Sequence, residues 1–287
     1  KKKIKGAILG KVEQVDLYRN GRLQLTFATQ NRLYVIDRNG KNVGRFPLEF
    51  KDDITQPLAV FDYDKQRNYR FLITQKKNLL MYDSKGKSIK GFKYKATQTI
   101  GSQPKHFRVL GKDFIVFSAG NQLKLLDRRG NNRVKVKEAI NFSGEAIYFY
   151  NSLFTTTNKK GHLIQVNTKG TVSRQTLGLD STHDITSSSK TLVTRSDNKL
   201  SIKSNSVDLE YGSYTPPHLF YLRDKIYISI TDLQAQKIWL FDSQAKLFPG
   251  VPVFGTSAID LANADAGSPL EFVTKGDSNS LILYQLY

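Results

Sequence analysis

One short segment recurs seven times along the chain, and this repetition limits the possible folds more than any other feature. Each copy begins at a polar residue, continues through mostly apolar or alternating residues, and usually ends in an aspartate and a glycine turn. The copies are RLYVIDRNGK from Arg32, NLLMYDSKGK from Asn78, QLKLLDRRGN from Gln122, HLIQVNTKGT from His162, KLSIKSNSVD from Lys199, KIWLFDSQAK from Lys237 and SLILYQLY from Ser280. Their anchor positions, from Asp37 to Gln285, are separated by 46, 44, 40, 37, 38 and 43 residues. A period of about 41 residues is typical of a four-stranded propeller blade.

Further strand patterns flank the copies in a fixed order. Upstream lies a second strand, such as RFLIT from Arg70, and before it an apolar inner strand, such as LAVFD from Leu58. Downstream lies an outer strand, predicted for example at 88–94 and 133–137. Four copies place a glycine where a short hairpin needs a positive φ, at Gly40, Gly86, Gly130 and Gly170. No segment shows a sustained helical period with caps, so the sequence predicts an all-β fold.

The two ends of the chain predict how the ring of blades closes. The last copy stops at Tyr287 without an outer strand, whereas the apolar residues 4–9 belong to no blade. We therefore expect the N-terminal strand to complete the C-terminal blade by pairing with 281–287, which removes an open sheet edge. The prediction is one seven-bladed β-propeller domain over 1–287, with blades at 11–50, 55–97, 104–140, 143–179, 183–213, 217–254, and 257–287 plus 1–9.

The positive charge of the chain is confined to its first half. Residues 1–140 contain 31 Lys and Arg against 12 Asp and Glu, whereas 141–287 contain 13 of each, so the first half carries the whole net charge of +19. A clustered charge of one sign creates a field that favours a polyanionic partner. Basic docking candidates lie in two outer strands, at Lys90, Lys93, Lys95, Arg133, Lys135 and Lys137. The alternative is that these lysines protect exposed sheet edges against aggregation.

Binding of nucleic acid is a weaker alternative for the same residues. Phe92 and Tyr94 alternate with lysines in the second blade, as a surface that stacks bases would require. However, no nucleic-acid-binding motif is present, and a propeller needs many aromatic residues between its blades. We predict that Trp239, Phe61, Phe149 and Tyr221 belong to the core.

The repeats resemble those of known propellers. The apolar strand that ends in D-x-x-G-K resembles the repeats of bacterial propellers of the pyrroloquinoline-quinone type. The loops DLYRNGRLQL from Asp16, DYDKQRNYRFL from Asp62 and NADAGSPLEFV from Asn263 resemble FG-GAP repeats, whose D-x-D-x-D-G loops bind calcium in some members. Here no loop offers more than two carboxylates at the corresponding places, and calcium prefers six to eight oxygen ligands. We therefore expect no metal, with Asp62 and Asp64 as the remaining candidates.

Three histidines occupy related places in the repeat. His106, His183 and His218 precede or begin the inner strands of the third, fifth and sixth blades. They are therefore predicted near one mouth of the central channel, where loops of several blades converge, and they are candidates for binding a ligand. The alternative is structural, because a histidine at a repeated position can tie a loop to a neighbouring strand.

Several kinds of active site are excluded or lack their motif. The chain has no cysteine, which excludes a disulfide scaffold, a cysteine nucleophile and thiolate metal ligands. It also lacks a G-x-S-x-G elbow, H-E-x-x-H, a P-loop and a dinucleotide-binding fingerprint. We therefore expect no catalytic residue and no cofactor.

The sequence predicts a monomeric, non-catalytic interaction or ligand-binding module of a larger bacterial protein, with blades one to three facing an acidic protein or other polyanion. The alternative is a small-molecule or metal-binding propeller, an enzyme among the options, that uses the channel mouth. No apolar run reaches the about 18 residues needed for a transmembrane segment. The lack of cysteine and the bacterial resemblance favour an extracytoplasmic site, in the periplasm or at the cell surface.

Overall fold

The computed structural model describes residues 2–265, 267 and 269–286, and it confirms the predicted all-β fold. The described residues form seven antiparallel sheets and no helix, arranged as a seven-bladed β-propeller. Within every sheet, each strand pairs with its neighbour in sequence. Contacts between Cα atoms divide the chain into two compact units. The first unit runs up to Ile147 and includes Val166–Val172, and the second unit contains Tyr148–Gln165 and the chain from Ser173 onward.

The first three blades lie in the first unit. The first blade contains β1 Leu9–Val15, β2 Gln24–Thr29, β3 Arg32–Ile36 and β4 Leu48–Glu49. The second contains β5 Ala59–Phe61, β6 Arg70–Gln75, β7 Asn78–Asp83 and β8 Tyr94–Lys95. The third contains β9 Lys105–Val109, β10 Lys112–Ala119, β11 Gln122–Leu126 and β12 Asn132–Lys135.

The remaining sheets follow the same order. The fourth blade contains β13 Tyr148–Tyr150, β14 Leu153–Thr157, β15 His162–Val166 and β16 Val172–Thr176. The fifth contains β17 His183–Ser187, β18 Leu192–Ser196, β19 Lys199–Ile202 and β20 Asn205–Asp208. The sixth contains β21 His218–Leu222, β22 Lys225–Asp232, β23 Lys237–Asp242 and β24 Val253–Phe254. The seventh contains β25 Asp260–Ala262, β26 Leu270–Lys275 and β27 Leu281–Leu286.

In the second and third sheets, the second strand is mostly apolar and is buried on both of its faces. In β10, every residue from Asp113 to Ala119 is buried, and β6 is buried from Phe71 to Gln75. Side chains of adjacent sheets meet between the blades: Phe46 packs edge-on against Phe71 with ring centroids 5.8 Å apart. These apolar contacts between sheets form the core of the first unit.

In five of the seven sheets, a repeated aspartate or asparagine closes the turn that follows the third strand. The carboxylate of Asp37 accepts hydrogen bonds from the backbone N–H groups of Asn39 and Lys41, at 2.9 and 2.8 Å. The same pattern recurs at Asp83, Asp127, Asn167 and Asp242. Gly40 adopts a φ of +75°, and in the sixth blade Ala245 holds the corresponding position at +64°. The D-x-x-G repeat is therefore a local turn motif, closed by its own side chain.

The N-terminal residues contact the first sheet instead of forming the ladder predicted between 4–9 and 281–287. Leu9 begins β1 and pairs with Ala28 in the first blade, and the seventh sheet has three strands in the described residues. Ile4 instead packs against Phe27 and Tyr34 of the first sheet. Gly6 has a φ value of +86°, which interrupts an extended strand before β1, and Gly10, at +78°, lies where the register of β1 is irregular. Lys1 and Tyr287, at the ends of the predicted pair, lie outside the described residues.

Two other predictions about strands and core need correction. The outer strand predicted at 88–94 is a single bridge at Ser88 and the short strand β8, because a turn closed by Phe92 N–H and Ile89 C=O interrupts it. Tyr221 is 62% exposed rather than part of the core. Its hydroxyl group donates a hydrogen bond of 2.8 Å to Asp224 Oδ1.

Candidate functional site

The six predicted basic residues all lie at the surface of the first unit. Lys95 belongs to β8, with Lys90 and Lys93 just before it, whereas Arg133 and Lys135 belong to β12 and Lys137 follows it; all six are exposed. In the second segment these cations alternate with half-buried Val134 and buried Val136, as expected for a strand with one solvated face. We call these six residues the docking surface.

Arg133 differs from the five lysines of the docking surface. Its Nε donates a hydrogen bond of 2.8 Å to the backbone oxygen of Asp113, and its guanidinium carbon lies 5.3 Å from the ring centroid of Phe114. This side chain therefore packs along the third sheet. Among the described residues, none of the five lysines forms an ion pair.

The aromatic residues beside these lysines do not face solvent. Phe92 is buried in the core between the second and third sheets, and Tyr94 packs edge-on against Phe117 with ring centroids 5.4 Å apart. A surface that stacks bases needs exposed aromatic faces. The geometry of this region therefore gives no support to the nucleic-acid alternative.

A second group of cations surrounds a pocket of about 480 Å³ in the same unit. Four exposed lysines line it, namely Lys51, Lys76, Lys77 and Lys95, together with the carboxylates of Asp52 and Asp53. We call it the lysine pocket. Only Lys95 belongs to both the docking surface and the lysine pocket, and the lining has two more positive than negative charges.

Hydrogen bonds hold the backbone of the lysine pocket in place. The buried side chain of Gln75 donates from Nε2 to the backbone oxygen of Asp52 at 2.6 Å. The backbone N–H of Lys76 donates to Thr55 Oγ1 at 2.9 Å, and the backbone oxygen of Lys77 accepts from Ala96 at 2.7 Å. The segments that carry the lysines are therefore fixed relative to one another.

A third group of charges, the charged junction, lies between the second and third sheets. It consists of Tyr63, Asp64, His106, Arg108, Asp113 and Arg128. Asp113 is 7% exposed, and its carboxylate lies 2.8 Å from His106 Nε2 and 2.6 Å from Arg128 Nε. Arg128 also contacts Asp64 through both terminal nitrogens, at 3.1 and 2.7 Å. Two arginines and one histidine thus surround two carboxylates.

The charged junction shifts the pKa values of its members. The pKa of Asp64 is lowered mainly by its hydrogen bond with Arg128. Burial alone would raise the pKa of Asp113, but hydrogen bonds from His106 and Arg128 outweigh this effect and lower it. Burial lowers the pKa of His106, and both arginines act in the same direction. Asp113 acts in the opposite direction but does not outweigh them, so the surroundings favour the neutral form of His106.

Next to His106, the first strands of the first three blades enclose a pocket of about 290 Å³, the inner pocket. It is lined by residues 58–62, 103–107 and Glu13. Burial lowers the pKa of Lys105 in its wall to about 8. The inner pocket therefore contains charged groups of both signs, Glu13, Asp62 and Lys105, beside apolar residues of its wall.

The structure places the three predicted histidines in different surroundings. His106, in the first unit, contacts both the charged junction and the inner pocket. His183, in the second unit, is buried, with Nδ1 2.7 Å from the backbone oxygen of Asp180 and Nε2 2.7 Å from Thr157 Oγ1. His218 is exposed and lies edge-on to Phe220 with ring centroids 6.2 Å apart. His183 thus ties a loop to the fourth blade, as the structural alternative describes.

The carboxylates of the calcium-like loops already have partners. Asp62 accepts hydrogen bonds from three backbone N–H groups of its own loop, those of Gln66, Arg67 and Asn68. Asp64 binds Arg108 and Arg128, and Asp16 binds Arg67 at 2.8 Å. Backbone amides and guanidinium groups thus stand where a cation would lie. Within the described residues, no group of three His, Cys, Asp or Glu side chains is arranged to hold a metal ion.

Sequence analysis missed the charged junction and most of the lysine pocket. Arg128 and Asp64 are 64 residues apart, and only the packing of two blades brings them together. The one signal in the sequence was Asp113, a carboxylate at the start of the apolar run FIVF. Such a position predicts a buried charge with a partner.

The fold and its surfaces define the class of this protein as a seven-bladed β-propeller with a lysine-rich first unit. No family model matches the sequence, and no curated protein matches it. Among solved structures, the chain is similar to one in the crystal structure of BBS1N in complex with ARL6DN, with a TM-score of 0.70, 11% identity, and coverage of 98% of this chain and 93% of that chain. It is also similar to BamB from Moraxella catarrhalis, with a TM-score of 0.61, 15% identity, and coverage of 98% and 84%. Virginiamycin B lyase from Staphylococcus aureus gives a TM-score of 0.59, 13% identity, and coverage of 96% and 99%.

These similarities concern the fold alone, because the identities are low. Within the described part of the chain, no helical segment has the length and apolar composition that a bilayer crossing needs.

Proposed function

We propose that this chain is a non-catalytic binding module whose docking surface holds an acidic segment of a partner protein. The observation that carries the proposal is the exposure of Lys90, Lys93, Lys95, Lys135 and Lys137 without an ion-pair partner in the described residues. Lysines that pair with no carboxylate of their own chain keep their full charge for a partner. Their field attracts an acidic surface and speeds its association.

The distribution of charge supports docking over edge protection. Protection against aggregation requires lysine on the exposed edges of any blade. The outer strand β20 of the fifth blade, NSVD, has no lysine, whereas β12 and the residue pair that follows it carry three cations. Protein binding by a similar fold is also represented among the structures compared above, by BBS1N in complex with ARL6DN.

Binding of a small molecule is a second candidate function, and the inner pocket favours it. His106 presents a neutral imidazole that Asp113 orients, and Lys105 offers an amine whose pKa of about 8 makes its uncharged form more accessible than in an ordinary lysine. A similar fold occurs in a lyase that acts on virginiamycin B. The inner pocket is small, at about 290 Å³, near the lower limit of typical ligand sites.

Charge reversal tests the proposed docking surface. Lys90, Lys93, Lys135 and Lys137 are changed together to glutamate; Lys95 is left because it also lines the lysine pocket. The matched control changes four exposed lysines of the second unit, Lys190, Lys203, Lys225 and Lys246, to glutamate. Binding of a fluorescent polyglutamate peptide is measured by anisotropy at several salt concentrations. We expect loss of binding in the first variant and little change in the control, because both variants have the same net charge.

The parent protein should also bind the peptide less tightly as salt is added, since charges further apart than about 8 Å are screened at physiological ionic strength. Equal losses in the two variants, or no binding by the parent, would show that the docking surface has no specific role.

A further inference from the structure

The lysine pocket combines a cavity with a charge that the surrounding protein does not neutralise. Its four lysines exceed its two carboxylates by two positive charges. The pocket volume of about 480 Å³ falls within the range of about 300–1,000 Å³ that small-molecule sites occupy. The hydrogen bonds of Gln75, Lys76 and Lys77 fix the backbone before any ligand arrives. Such a site does not have to be ordered at the moment of binding.

Lys76 has a backbone conformation that is uncommon for lysine, which it shares with Lys65 and Lys203. Lys76 begins the turn between β6 and β7 with a φ of +52°. The corresponding turns of the third and fifth blades begin with Gly120 and Asp197, which have similar φ values of +57° and +52°. Glycine, asparagine and aspartate adopt this conformation at lower cost than lysine. At Lys76 the chain thus has a residue that is unfavourable for the turn but brings a charge to the pocket.

We propose that the lysine pocket binds a phosphomonoester group. Such a group carries a charge of about −1.5 to −2 at pH 7, which matches the excess of two positive charges in the lining. A single carboxylate would leave one of these charges unbalanced. Each lysine offers three N–H donors to the acceptor oxygens of a phosphate. The pocket is larger than a phosphate ion, so it leaves room for the group that carries the phosphate.

This proposal does not depend on the docking surface. Of the four lysines that line the pocket, only Lys95 is shared with that surface. Lys76 and Lys77 belong to the pocket alone, and Lys90, Lys93, Lys135 and Lys137 to the docking surface alone. Variants of the two sets therefore separate the failure of one proposal from the failure of the other.

The test uses the intact chain and two phosphomonoester probes, free O-phosphoserine and a peptide that contains one phosphoserine. Titration calorimetry at low salt compares each probe with its serine counterpart. The pocket variant is Lys76→Asn with Lys77→Gln, and the control is the docking variant with glutamate at 90, 93, 135 and 137. Asparagine tolerates a positive φ, so the pocket variant should melt at the same temperature as the parent or slightly higher.

We expect the parent and the docking variant to bind the phosphorylated probes, and the pocket variant to bind them about tenfold more weakly. Tighter binding of the peptide would identify a phosphorylated protein as the source of the group, whereas equal binding of free O-phosphoserine would identify a small phosphate ester. The proposal is overturned if the phosphorylated and serine probes bind alike, or if the pocket variant binds as tightly as the parent.

Discussion

The charged junction and the lysine pocket are both rich in cations and belong to the same unit, but carboxylates neutralise the cations only in the junction. In the junction, Arg108 and Arg128 are matched by Asp64 and the buried Asp113. In the pocket, exposed lysines outnumber carboxylates. Arginine has a planar fork that binds carboxylates through two nitrogens, whereas lysine is a mobile point charge. The net charge of a region therefore does not show which of its cations are available to a partner.

The same division holds across the ion pairs that the structure describes in the first unit. Their cations are Arg32, Arg67, Arg108, Arg128 and His106, and none is a lysine. We therefore interpret the four ion-paired arginines of this unit as structural, and the exposed lysines of the docking surface and the lysine pocket as the groups that meet other molecules.

Removal of Asp113 from the charged junction should have the largest effect on the stability of the protein. Asp113→Ala removes the buried carboxylate that contacts His106 and Arg128, whereas Arg128 keeps its contact with Asp64, so we expect the free energy of unfolding to fall by about 2–3 kcal/mol. Urea denaturation measures this loss. As a control, Asp52→Asn in the exposed lysine pocket should change stability by no more than about 0.5 kcal/mol. Similar losses for the two variants would contradict the division between structural and available charges.

Replacement of Arg128 by lysine should lower the stability by a smaller amount. Arg128→Lys keeps the charge but loses the paired contact with Asp64 and the stacking of the guanidinium over Tyr63, whose ring centroid lies 4.6 Å away. We expect a loss of about 1–2 kcal/mol in the free energy of unfolding. Lys93→Arg, at an exposed position without an ion pair, serves as the matched change and should be close to neutral. Full stability of Arg128→Lys would show that charge alone matters in the junction.

The smallest of the three expected effects is a loss of stability in mild acid that comes from His106. The folded pKa of His106 lies below its ordinary value, so the unfolded state takes up a proton first as the pH falls through about 6.5. Stability therefore decreases with falling pH in this range, and it decreases further below about pH 4, where the lowered pKa values of Asp64 and Asp113 act in the same direction. Denaturation at pH 7.5 and 5.5 should show the first loss in the parent and a smaller one in His106→Gln. An identical pH dependence in both proteins would exclude His106 as its source.

The fold was accessible from the sequence because its main signal is local. Asp37, Asp83 and Asp127 each close a turn within four residues, so the same residue types recur at regular spacing along the sequence. Alternation in the outer strand likewise predicted which face of 133–137 is exposed. The ladder predicted between 4–9 and 281–287 was wrong because Ile4 packs against Phe27 and Tyr34, whose side chains are distant from it in sequence.

The charged junction was not predictable for a related reason. The partners of Asp64 lie 44 and 64 residues further along the chain, one in a strand and the other in a turn of the next blade. Sequence spacing does not show which of many arginines will reach a given carboxylate. The lysine pocket shares this problem, since its lining comes from the end of one blade and two separate segments of the next.

The closure of each turn by its own aspartate also bears on how the chain is made. A hairpin forms in about 1–10 μs, whereas a ribosome adds about 5–20 residues per second. A repeat of about 41 residues is thus completed only every few seconds, long after the preceding one has had time to pair. Since strands in every described sheet pair only with their neighbours in sequence, each newly emerged sheet can form before a competing copy of the same motif appears. Synthesis in order thereby protects a chain of similar repeated segments from pairing with the wrong copy.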